Sequence, residues 1–196
     1  MTPRWIPLVL GLLLSACDDS IVELEDFDPA APTSGAEMDL EDFAEPQPLV
    51  DVMAWREGTA EHDPLHHERP DAIDCPVAAW GPEWGRLEIQ TGVCNYLHVT
   101  QPSLTAIEAG DSVELVVFHD RLDAAEPAQG HVAILVGEQV LWEHWVDIPT
   151  EAAVVHARVP APQAWPVGAP VGLHLHNHGY NSWTLAGLEV LPGGAE

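Results

Sequence analysis

The chain has no lysine, and its six arginines face 32 aspartates and glutamates, a formal net charge of -26 over 196 residues. Nucleic acid is excluded as a partner, because a polyanion would be repelled. Electrostatic adhesion to an anionic membrane is excluded for the same reason. The balance favours cationic partners instead, divalent metals included. Long apolar runs are also missing. The longest, Trp5 to Leu14, spans ten residues, half of the ~20 that a membrane-spanning helix needs. No segment keeps a 3.6-residue apolar period for three turns, which argues against a helical bundle. There is no G-x-S-x-G elbow and no phosphate-binding loop, so nucleophile and nucleotide chemistry find no support. Internal repeats are absent.

What is present begins at the N-terminus. Arg4 supplies a short positive region, Trp5 to Leu14 the apolar stretch, and Leu14-Ser15-Ala16-Cys17 the end of it. This pattern resembles the lipobox of bacterial lipoproteins, an aliphatic residue and two small ones before the cysteine that receives the lipid. The resemblance covers residues 1–16 as a signal peptide. It implies export, cleavage before Cys17, acylation of Cys17, and a place in the cell envelope with the lipid as membrane anchor. Asp18 fits the pattern that retains lipoproteins at the inner membrane in some Gram-negative lineages. Two further cysteines, Cys75 and Cys94, remain in the exported chain. They are expected to form a disulfide, worth about 3 kcal/mol in the chain-entropy account. The alternative is a pair of thiols binding metal together with histidines.

Residues 18–74 carry 18 acidic side chains against Arg56 and Arg69, and proline recurs throughout. So much like charge with so few large apolar residues does not bury enough surface to offset chain entropy. Residues 17–48 therefore read as a disordered acidic tether. Residues 49–74 read as a linker in which Leu49 to Trp55 is either a short helix or strand docked on the domain or a recognition segment within the linker. His62, His66 and His67 read as solvated loop histidines.

From residue 75 to 196 the pattern becomes short runs rich in Val, Leu and Trp, separated by turn residues. The expected strands are 86–90, 96–101, 112–119, 131–136, 139–146, 153–159, 171–177 and 183–191, with a tight hairpin at Gly137-Glu138. About eight strands at this spacing specify an all-β fold, an antiparallel β-sandwich or jelly roll. With Ser182-Trp183-Thr184-Leu185 on its final strand and an Asn- and Gly-rich turn before it, the domain loosely resembles the galactose-binding-like β-sandwiches. That resemblance implies a binding or structural module, with carbohydrate or an envelope protein as partner.

The sharpest chemical signal is His174-Leu175-His176-Asn177-His178. In a regular strand Val171, Leu173 and Leu175 face one way and His174, His176 and His178 the other. One reading of these residues is a solvated histidine face packing with Tyr180 and Trp183. The other is a metal site: imidazoles two residues apart can lean onto one ion, and neutral imidazole suits zinc or copper. A further ligand would come from a neighbouring strand: His119, His131, His144, Asp120 or Glu143. Gly168, five residues and His174-Leu175-His176 resemble the start of the first cupin motif, which implies a cupin-like metal enzyme. The glutamate that should follow is missing, with Tyr180 or Asn181 in its place. Trp165, set among prolines, and Tyr180 are the candidates for stacking a ligand ring.

Replacing Cys17 with serine is expected to leave the protein unacylated and move it from the membrane fraction to the soluble fraction. Unchanged membrane fractionation would remove the lipobox reading.

Overall fold

The computed structural model describes residues 45–193. Cys17, the signal segment and the tether up to residue 44 lie outside the described residues. Among the described residues eleven strands follow one another: β1 (Gln47–Pro48), β2 (Arg56–Glu57), β3 (Trp80–Glu83), β4 (Arg86–Gln90), β5 (Tyr96–Pro102), β6 (Ser112–His119), β7 (Ala128–Val136), β8 (Gln139–Ile148), β9 (Ala153–Pro160), β10 (Pro170–Asn177) and β11 (Ser182–Leu191). They form two antiparallel sheets. One runs β3-β4-β11-β6-β9, with β1 added to β11; the other runs β2-β5-β10-β7-β8. This is the expected β-sandwich, and the eight expected strands correspond to β4 through β11.

Alternation explains the layering. In β6, Val113, Leu115 and Val117 are buried while Glu114, Val116 and Phe118 are only half-buried, the pattern of a strand with one face on a core. Leu87, Ile89, Leu115, Ile134, Leu173, Leu175 and Trp183 fill the space between the sheets. The β7–β8 hairpin turns at Gly137 with φ +63°, a conformation glycine adopts without strain. Cys75 and Cys94 are joined by a disulfide, tying the approach to β3 to the start of β5.

Three short strands escaped the sequence pattern. β3 contains Gly81 and Pro82, and it is the edge strand of its sheet, where proline is tolerated. The larger difference concerns residues 49–74, expected as a linker before a domain starting at Cys75. In the structure this stretch is part of the sandwich. Leu49 is fully buried, and its backbone bonds both Leu188 and Leu104. Trp55 is buried in the core, and β2 extends the second sheet along β5. Two short 3-10 turns, Ala60–His62 and His66–Glu68, follow, with Leu65 buried between them. Average composition hides this arrangement, because a few apolar residues suffice when each occupies a buried seat and the backbone finds a sheet edge.

Leu49→Ala is expected to cost about 3 kcal/mol, the usual penalty for emptying a buried leucine site. Urea unfolding checks it; a loss below about 1 kcal/mol would mean the segment is peripheral to the core.

Candidate metal centre

β10 runs through the middle of the second sheet, between β5 and β7. Its Val171, Leu173 and Leu175 enter the core. His174 and His176 therefore lie on the outer face, as the alternation requires. Register decides their neighbours. His174 stands opposite His98 on β5, and His176 stands opposite Tyr96 on β5 and His131 on β7. Directly paired residues on one face bring their Cβ atoms to about 5 Å, so two adjacent rows gather four imidazoles and a phenol.

This face is not open to water. The segment carrying the two 3-10 turns lies over it and brings Asp63 and Glu68 down onto the imidazoles. Glu68 Oε2 is the point of convergence: His131 Nδ1 stands 2.7 Å away, His174 Nε2 3.4 Å and His176 Nδ1 3.8 Å. Ligand atoms of Glu68, His131 and His174 all lie within 4.8 Å of one another. Donors around a tetrahedral zinc ion sit about 3.3 Å apart, so the spacing is of the right order. On the other side, Asp63 Oδ2 accepts the Tyr96 hydroxyl, with His174 Nδ1 at 3.6 Å and His98 Nδ1 at 3.8 Å.

His174 has 0% exposure, yet neither of its ring nitrogens has a hydrogen-bond partner; His98 Nδ1 and His176 Nε2 are likewise unpartnered. Leaving a buried polar atom unpaired costs about 1–3 kcal/mol. His131 poses a related question. Its Nε2 lies 3.1 Å from Glu143 Oε2 and its Nδ1 2.7 Å from Glu68 Oε2. A neutral imidazole has one N–H. With Nε2–H donated to Glu143, the Nδ1 lone pair points at a carboxylate oxygen, a contact that requires a cation or a proton between the two. A carboxylate behind a histidine is also the arrangement that fixes the tautomer of metal-binding imidazoles.

Electrostatics follow from burial. Burial pushes the Asp63 carboxyl up, but His174, the Tyr96 hydroxyl and His98 outweigh it and hold the group well below the usual carboxylate range. Burial, then the bond to Asp63, pushes the Tyr96 phenol up, so it stays protonated and donates. His98 and His176 are pushed down by burial, His176 also by His178 beside it. Both favour the neutral form that a metal requires. Trp145 stacks on the His131 ring at 3.9 Å and 5°, with half of its own surface in water.

Of the histidines expected on this strand, His174 and His176 enter the cluster. His178 lies past the end of β10, exposed, with its ring 4.5 Å from that of His176. Of the neighbours expected to supply a ligand, β7 brings His131 and β8 brings Glu143. His119 instead packs on Trp183 and bonds the Asp120 carbonyl, and His144 stacks on Trp142. The cupin-like glutamate position is no part of the site, since the carboxylate comes from Glu68, far upstream. Trp165 is corrected as a stacking platform: at 7% exposure it belongs to the core, bridged to Ile107 and lying over Gly137. Tyr180 is exposed and pairs through its backbone with Asp123. Asp63, Glu68, Tyr96 and His98 were not singled out from the sequence. Tyr96-Leu97-His98 on an expected strand was the available hint, whereas nothing local marks Asp63 or Glu68.

No protein-family model matches the chain, and no curated protein matches it. Solved structures do. The chain is similar to the carbohydrate-binding module CBM4, with TM-score 0.43, 14% identity, and 77% of this chain and 96% of that one covered. TmCBM27, a module described for specific mannan recognition, is similar at TM-score 0.45 and 10% identity over 76% and 95%. The K3 adhesin domain of Lys-gingipain from Porphyromonas gingivalis is similar at TM-score 0.41 and 9% identity over 74% and 98%. These likenesses lend this chain no residue and no ligand.

The lowered positions of His98 and His176 contribute one part of the pH dependence of the metal-free protein. Below about pH 6.5 the unfolded chain takes up protons that the folded chain resists, so stability falls as pH falls. Urea unfolding with chelator present should show lower stability at about pH 5.5 than at about pH 7.5. His98→Asn should flatten part of that slope; a slope unchanged in the variant would count against the buried neutral imidazole.

Proposed function

We propose that the domain is a metal-binding β-sandwich module that holds a zinc or copper ion through Glu68, His131, His174 and His176, on a chain anchored by lipid in the cell envelope. The observation that carries this reading is His174, fully buried, with two unpartnered nitrogens each facing a carboxylate. The donor set is imidazole and carboxylate, which suits a borderline divalent cation. Both cysteines of the domain are tied up in the disulfide, so thiolate does not compete for the ion. Four protein donors would complete a tetrahedral shell, as in sites that hold a metal rather than react at it. Asp63, Tyr96, His98 and Glu143 would act behind the ligands, fixing ring orientations and tautomers. Glu68 would tie the covering segment to the sheet, so ion binding would stabilise the fold directly.

The test is calorimetric titration of zinc and copper into the full chain, purified without a histidine tag. Binding of one ion per chain is expected at neutral pH, weakening as pH falls through the histidine range because the ligands must be neutral. His174→Gln and His176→Gln should each lower affinity by about tenfold or more, while His119→Gln should not. Absence of zinc and copper binding at neutral pH overturns the reading.

A further inference from the structure

The centre is shut on most sides. The covering segment lies above it, Trp145 lies flat on His131, and the Tyr96 ring stands edge-on to His174 and His176 at 5.2 and 5.9 Å. A cavity of about 280 Å³ on the same sheet face, lined by Thr59, Thr100 and Gly172 among others, stops at His98; neither His174 nor Glu68 lines it. His98 is wedged in place there. A Cβ added at Gly58 would come within 2.6 Å of its Nδ1, and one at Gly172 within 3.3 Å of its Nε2.

Exposure instead rises along one line. The side chain of His174 is 0% exposed, that of His176 is 18%, and His178 is exposed. The backbone at His178 is also held. Asn177, buried beside it, donates from Nδ2 to the Gly179 carbonyl at 2.7 Å and accepts the Trp183 indole N–H at 3.3 Å. The His178 backbone N–H points to the Gln129 carbonyl at 3.4 Å. The His178 ring stands 4.5 Å from that of His176. An ion passing from water to a buried site must exchange its hydration waters in steps, and an exposed imidazole at the mouth provides the first one. The chain's net negative charge favours cations near the protein in general.

We propose that His178 is the port ligand of the centre: it captures a divalent metal ion from solvent and passes it to His176, and it takes the ion back on release, without belonging to the final ligand set. This inference rests on the metal-binding reading above. It makes the module one that exchanges its ion with the surroundings rather than one that buries it permanently.

The experiment uses the full chain without a histidine tag. Equilibrium zinc affinity is measured by calorimetry, association by stopped-flow tryptophan fluorescence, and dissociation by transfer to a chromophoric chelator. His178→Ala is expected to slow association and dissociation together, each by about tenfold, with affinity unchanged. His178→Asp, which keeps a metal-seeking side chain at the mouth, is expected to recover the rates. Wild-type rates in His178→Ala, with zinc binding intact, overturn the port while leaving the centre standing. A fall in affinity matching that of His176→Gln also overturns it, by making His178 a permanent ligand. Absence of zinc binding in the unaltered chain overturns port and centre together, and calorimetry alone identifies that case.

Discussion

Glu68 Oε2 is the atom on which this structure turns. Three imidazole nitrogens from two strands converge on it. It belongs to a segment that brings little else to its own docking. Leu65 is that segment's main apolar contribution, worth about 2–3 kcal/mol on burial. Against that stand two carboxylates removed from water, each costing several kcal/mol if left uncompensated. Hydrophobic burial therefore does not account for the seat of the 59–69 segment. Polar pairing contributes instead: the Tyr96 hydroxyl donates to Asp63, imidazoles face both carboxylates, and a cation among them would offset more.

The sandwich supplies the rigidity this requires. Leu173 and Leu175 pack into the core on one face of β10 while His174 and His176 stand on the other. Because side chains alternate strictly, the core packing that fixes the aliphatics also fixes the direction of the imidazoles. Hydrogen-bonded register with β5 and β7 then sets which side chains stand opposite. The disulfide contributes in a different place, holding the start of β5 against the stretch that follows the covering segment. It also removes the only thiols among the described residues from the chemistry.

The chain's acidity takes a second meaning beside this centre. Apart from maintaining solubility, a field of one sign raises the local concentration of cations at a surface. Asp63 shows how the same excess is managed inside the protein: its carboxylate is buried, but the Tyr96 hydroxyl and two imidazoles keep it ionised. Trp145, stacked on His131, screens the centre from water without supplying a competing polar atom.

The all-β fold, the eight main strands, the disulfide and the division of β10 into an aliphatic and a histidine face were legible in the chain. Each is a property of alternation or of pair counting, and such short-range signals survive without knowledge of what lies opposite. His131 and Glu143 could be named only as two among several neighbours, since strand order and register are tertiary facts. The covering segment was not legible at all. Its composition is that of a solvated linker, and only the finished sheet provides the edge for β2 and the imidazoles for Asp63 and Glu68. For the same reason Trp165, set among prolines in the sequence, proved to be core, because the backbone pairing with Ile107 turns it inward. The sequence alone determined which side chains share a strand face. The tertiary structure decided that the histidine face is covered rather than solvated, because burial depends on a segment more than a hundred residues away.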